Sequence, residues 1–269
     1  MSGMKKYAAL LLAISTCLLL TGCIELDSVL TLNKDGSGTI EETTLLSAQA
    51  SAMMAMMATA GAGQPGAPTP PPDLMVSREK AETTAKEMGP GVTLKTFEAL
   101  KTPDGKQGQK IVYAFPDISK INYHSGSSAA TFTFSNGTLT IRNLSNVSNS
   151  ATAPPLPGAP ATPGRGANTP PPSDQEIAMV KGMFAGMRMA LRVTAPSGIA
   201  SSDATYVDGN TVTLLDLQMD KLFDNPEALA KISTLSPNPN MSPAEAAEAL
   251  KGIPGVRAEL RDVVTIKLK

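Results

Sequence analysis

The pattern of apolar and polar positions changes character at residue 24. Before it, Ala8 to Leu20 form a predominantly apolar run of 13 residues behind Lys5 and Lys6. A membrane-spanning helix needs about 20 such residues, so the run fits the apolar heart of a signal peptide. After it the period is two. Ile24, Leu26, Leu30 and Leu32 alternate with Glu25, Asp27, Thr31 and Asn33, the signature of a half-buried strand.

The same alternation recurs beside four turn dipeptides, Asp35-Gly36, Asp104-Gly105, Asn136-Gly137 and Asp208-Gly209. Each supplies residues that tolerate positive φ, as tight hairpins require. Ile111, Tyr113 and Phe115 share one face. Phe132 and Phe134 lead into the third turn, Leu139 and Ile141 lead out of it, and Val212 and Leu214 follow the fourth. Met187, Met189, Leu191 and Val193 alternate with Arg188, Ala190, Arg192 and Thr194, and Val264, Ile266 and Leu268 with Thr265, Lys267 and Lys269. Half-polar strands of this kind predict a sheet with one wet face.

Helical signals fill the intervals. Ser242-Pro243-Ala244-Glu245 reads as a cap, a first-turn proline and a capping-box acid, with a stop at Gly252; Asn225-Pro226-Glu227 opens a shorter helix in the same way. Propensity predicts helices over Ser47 to Ala58 and Ser77 to Met88, and Ile177, Val180 and Phe184 give Asp174 to Phe184 a core face. Residues 59–73 and 151–173 are rich in proline and read as extruded loops. The expectation is an α+β fold, with an antiparallel or mixed sheet and several short helices, forming a single domain over 23–269 behind a signal peptide at 1–22.

Composition narrows the chemistry. Lys and Arg number 23 against 24 Asp and Glu, which leaves no basic footprint for nucleic acid. One His and two Cys give little material for a zinc site.

The apolar run ends in Leu20-Thr21-Gly22-Cys23. These four positions resemble the lipobox of bacterial lipoproteins. The resemblance implies cleavage before Cys23 and acylation of its sulfur, palmitate-type chains then holding the protein on a membrane of the cell envelope. Cleavage removes Cys17 and leaves Cys23 alone, so no intramolecular disulfide is available. Because the strand pattern starts at Ile24, no long spacer separates anchor from body. The resemblance also places Ile24 where an inner-membrane retention signal would have Asp. In a two-membrane bacterium that favours the periplasmic face of the outer membrane.

Other motifs weigh less. Asn33 to Ile40 matches the first positions of a calcium loop, but Thr44 stands where a bidentate Glu is needed and the flanks read as strands, so a hairpin turn is the better account. Ser77-Arg78-Glu79-Lys80 has the spacing of a Ser-x-x-Lys nucleophile without its companion motifs, and Ser77 reads as a helix cap. His124 is a lone imidazole with no acid or nucleophile partner in the sequence pattern. No catalytic residue, cofactor or metal ligand is assigned. Met53, Met54, Met56 and Met57, and Met179 and Met183 with Phe184, read either as core filling or as the adaptable apolar wall of a lipid or partner groove.

The order of elements resembles lipoproteins of the LppM type: a Cys leading straight into a strand, the Asp35-Gly36-Ser37-Gly38 hairpin, then Val193-Thr194-Ala195-Pro196-Ser197-Gly198 and Asp208-Gly209-Asn210-Thr211-Val212-Thr213. That resemblance implies a compact α+β domain associated with envelope lipids and brings no catalytic residues with it. The two Pro-rich insertions, and the lack of a C-terminal apolar run long enough to span a membrane, set this chain apart from the pattern. The functional expectation is a non-enzymatic, membrane-anchored envelope lipoprotein that binds an amphiphile, a lipid or a hydrophobic partner. The alternative is a structural or assembly subunit of an envelope complex.

Overall fold

A computed structural model describes residues 24–52, 75–125, 128–143, 186–225, 227–228 and 250–269. The alternating run after residue 23 forms β1 (Ile24–Leu32), which turns at Asp35-Gly36 into β2 (Gly38–Leu46). Helix α1 (Arg78–Met88) precedes β3 (Thr93–Lys101) and β4 (Gln107–Phe115). A 3-10 turn at Ile118–Lys120 leads to β5 (Tyr123–Ser125), β6 (Ser128–Ser135) and β7 (Thr138–Asn143). Then come β8 (Arg188–Thr194), β9 (Ile199–Ser202), β10 (Val207–Asp208), β11 (Thr211–Gln218), the short α2 (Met219–Phe223), β12 (Val256–Ala258) and β13 (Val263–Leu268).

The fold is α+β, as the patterning predicts, with most described residues in strands. The strands divide between two sheets. One has the order β10-β11-β8-β1-β2-β4-β3 with β12 paired to β11; the other runs β5-β6-β7-β13-β9. All pairings are antiparallel except β1 with β8, which makes the first sheet mixed. The four turn dipeptides close β1–β2, β3–β4, β6–β7 and β10–β11; in the last, Asp208 pairs with Thr211, so Gly209 and Asn210 are the turn.

One apolar core draws on both sheets and on α1. Leu30, Leu32, Ile40, Ile111, Tyr113, Phe115, Val193 and Val212 of the first sheet meet Phe132, Leu139, Ile141, Val264, Ile266 and Leu268 of the second, with Ala81, Ala85 and Met88 of α1 completing the cluster. A smaller cluster of Leu222, Ala228, Ile253 and Val256 lies around α2 and β12.

The β1–β2 turn is a joint between the sheets. Its polar atoms satisfy one another: the Ser37 N–H and hydroxyl both donate to Asp35 Oδ1, at 3.0 and 2.7 Å, and Asn33 Nδ2 donates to Ser37 Oγ at 3.1 Å. The hydrogen bonds from Ser37 hold the Asp35 carboxyl below its usual range. Thus the residues that resemble a calcium loop form a self-capped hairpin between two strands. The Gly36 carbonyl accepts from the Ile118 N–H at 2.9 Å, and the Phe134 ring lies against Gly36, whose φ is +85°.

The outer face of the first sheet carries charges of both signs in neighbouring rows. Lys110 pairs with Glu41 at 2.8 Å, Lys106 with Glu25, and Arg192 with Asp27. Arg188 grips Asp216 through Nε at 3.0 Å and Nη2 at 3.3 Å, and Gln218 Nε2 donates to the same carboxylate at 3.0 Å. Burial works to raise the Asp216 pKa, but the Arg188 and Gln218 contacts more than offset it and hold the group below its usual range.

Two predictions follow from this packing. Gly36→Ala forces a side chain onto a positive-φ backbone and sets its Cβ 2.9 Å from Phe134; urea titration is expected to show a loss of about 1–3 kcal/mol with unchanged slope. Asp216→Asn is expected to lower stability by about 1–2 kcal/mol at neutral pH. Because the folded pKa is depressed, that stabilisation is present above about pH 4, the unfolded value, and is lost as pH falls through the folded value, so native and variant melting curves should converge in acid.

Candidate functional site

Two voids lie against the inner face of the first sheet. The first, about 30 Å³, sits within the apolar core between Leu30, Ile40, Tyr123, Phe132, Leu191 and Leu214. It has room for about one water molecule and none for an acyl chain. The second is a cleft of about 380 Å³ between α1 and the strands β2 and β4. Its size falls in the range of small-ligand pockets.

The cleft is built from two strand patterns. Ile40, Glu42, Thr44 and Leu46 alternate on the inner face of β2, and Gln109, Ile111 and Tyr113 on the inner face of β4, with Glu42 opposite Ile111 and Thr44 opposite Gln109. At the Ile40 end these positions are closed by the second sheet; at the Glu42 end α1 forms the opposite wall. Val76, Thr84, Glu87 and Met88 line that wall, and Asn122 closes one side. Val76, Met88 and Ile111 are apolar, whereas Glu42, Thr44, Gln109 and Tyr113 put polar groups on the floor.

Helix α1 is fixed at both ends. Ser77 Oγ accepts from the Lys80 N–H at 3.1 Å, so Ser77 is the cap that its sequence context predicts. At the other end the Met88 carbonyl accepts from the Asn122 N–H at 2.8 Å. Gly89, at φ +142°, lets the chain pass so close to Lys120 that a Cβ would stand 2.4 Å from its carbonyl oxygen. Along the helix, the Arg78 guanidinium lies 5.4 Å from the centre of the Phe97 ring on β3.

Electrostatically the cleft is one-sided. Among the described residues no Lys, Arg or His lines it, and two carboxylates do, Glu42 on the floor and Glu87 at the exposed rim. Burial raises the Glu42 pKa, with no hydrogen bond or cation countering it among the described residues. Tyr113, 1% exposed, lies diagonally across from Glu42. Burial, followed by the negative charge of Glu42, pushes its phenol far above the ordinary value, so the hydroxyl keeps its proton.

Sequence reasoning placed Tyr113 on a core face but missed Glu42. The available signal was periodic: in Ile40-Glu41-Glu42-Thr43-Thr44-Leu45-Leu46, Glu42 falls on the face of Ile40 and Leu46. The residues that the sequence singled out, Cys23 for lipidation and Met53, Met54, Met56, Met57, Met179, Met183 and Phe184 for ligand contact, lie outside the described residues, as do both Pro-rich loops. The helix predicted from Ser47 is seen over 48–52, where the Ala50 N–H donates to Ser47 Oγ at 3.1 Å. No helix of the described residues is long and apolar enough to cross a membrane.

Among known proteins, no family model and no curated sequence matches this chain. It is similar to the NMR structure of the folded domain of LppM from Mycobacterium tuberculosis at a TM-score of 0.32 and 8% identity, over 74% of this chain and 84% of that one.

A half-buried carboxylate with no cation beside it among the described residues costs stability, and this generates a prediction. The raised folded pKa of Glu42 means that its neutral form is favoured on folding, so its contribution is best below the ordinary Glu value and declines as pH rises through the folded value. Glu42→Gln is therefore expected to raise the thermal midpoint at neutral pH by roughly 2–4 °C and to give no advantage in acid. A melting temperature for the variant below that of the native chain at pH 7 would contradict the assignment.

Proposed function

We propose that this chain is a non-enzymatic envelope lipoprotein whose body holds the polar head of an amphiphile beside the membrane. The cleft between α1 and the β2–β4 floor carries the reading, because a few apolar side chains and a larger set of polar ones share its lining. Val76, Met88 and Ile111 offer a surface to the first carbons of a chain, and Glu42, Thr44, Gln109 and Tyr113 offer hydrogen-bonding groups to a head. The void within the core is too small for the chain itself, so the acyl portion stays outside the body.

Attachment rests on Leu20-Thr21-Gly22-Cys23 and on β1 beginning at Ile24, which leaves the body no spacer from an acylated Cys23. In this reading the partners are the membrane, through the anchor, and the bound amphiphile. The site is the periplasmic face of the outer membrane in a two-membrane cell.

Two measurements test the proposal. Labelled palmitate should enter the native protein and not the Cys23→Ala variant, with the native form recovered in the membrane fraction. Native mass spectrometry of protein released from membranes should show an adduct of lipid mass that is weakened by Ile111→Glu, which places a charge on the apolar part of the cleft. An unlabelled, freely soluble native protein, or an adduct indifferent to Ile111, would defeat it.

A further inference from the structure

The lining of the cleft selects among head groups. Any phosphate or carboxylate placed there meets Glu42 with no Lys, Arg or His among the described lining residues to balance it. The repulsion would be strong, because burial weakens the screening that water provides. A neutral polyol could use the hydroxyls and the amide but would leave Glu42 desolvated and unpaired. A cation removes that cost.

Tyr113 also lines the cleft, diagonally across from Glu42, and its hydroxyl keeps its proton. Its oxygen can accept one hydrogen bond while its proton is available to a neighbouring oxygen. Thr44 and Gln109 stand one step further along the same floor, paired across β2 and β4.

We infer that the cleft is a site for a primary amine in its ammonium form, seated between the Glu42 carboxylate and the Tyr113 hydroxyl, with its alkyl part against Val76, Met88 and Ile111. An ammonium carries three donors and no acceptor, which suits a floor of carboxylate, phenol and Thr44 hydroxyl oxygens. Glu87 at the rim adds attraction on approach without being enclosed. This inference rests on the amphiphile reading and narrows it to a head that is cationic and carries no phosphate.

The test uses the full acylated protein in nanodiscs of zwitterionic lipid, with its methionine methyl groups labelled for NMR, because Met88 lines the cleft. Hexylamine, hexyl phosphate and hexyl glucoside serve as probes, each short enough to remain in water. Hexylamine is expected to shift the Met88 methyl signal saturably and hexyl phosphate to leave it unmoved. Glu42→Gln should weaken hexylamine by about tenfold or more, as loss of a charge-assisted hydrogen bond implies, and Tyr113→Phe by less. Glu41→Gln, on the opposite face of β2 and paired there with Lys110, should bind as the native chain does.

A thermal midpoint for Glu42→Gln at or above the native value shows that lost binding is not lost folding. If hexyl glucoside shifts Met88 and hexylamine does not, the amphiphile reading stands and the amine is wrong. Silence from all three probes overturns both. Undiminished hexylamine binding by Glu42→Gln overturns the amine site alone.

Discussion

The parallel seam between β1 and β8 is the constraint on which the first sheet depends. The remaining pairings in that sheet join strands through hairpins or short connections, or extend what the seam has already assembled. This one brings Asp27 beside Arg192, 165 residues apart in sequence, and sets Leu30 against Val193 in register. Closing so long a loop costs entropy that grows only slowly with length, and the apolar face that the seam completes returns it. Without it the β1–β2–β4–β3 and β8–β11 sections would be two ribbons, each with a bare edge.

This distribution explains what the sequence reveals. Asp35-Gly36, Asp104-Gly105 and Asn136-Gly137 announce hairpins because the turn and both strands lie within a few residues of one another. Asn136 at φ 51° and Gly137 at φ 70° show the backbone for which that dipeptide is chosen. Ser77 is legible as a cap for the same reason. The pairing of β1 with β8 is not, since alternation in each strand says which face is buried and nothing about the neighbour. The division into two sheets is hidden likewise: Phe132, Ile141 and Ile266 look no different from Leu30 or Val193 until topology sorts them. The cleft depends on where α1 ends relative to β2, which Asn122 and Gly89 set from outside the helix.

The two faces of β2 treat charge in opposite ways. Glu41 looks outward and meets Lys110, in company with the Glu25, Asp27 and Asp216 pairs on the same face. Glu42, the next residue, looks inward and meets no cation among the described residues. Ion pairs on the wet face keep the sheet soluble and contribute modestly to stability. An isolated acid on the dry face does neither, and a position that lowers stability is where a binding role is to be sought.

The place of β1 also determines how the protein bears tension. Its first residue, Ile24, adjoins the position proposed to carry the acyl chains, and the strand runs inward between two neighbours, Ile24 to Leu32 against β2 on one flank and Glu25 to Thr31 against β8 on the other. A tug along the strand axis is opposed by both ladders at once, so the rungs share the load in shear instead of opening singly as they would in a peeled edge strand. Tethered at that end, the body would resist being drawn apart by the movement of the surface to which it is fastened.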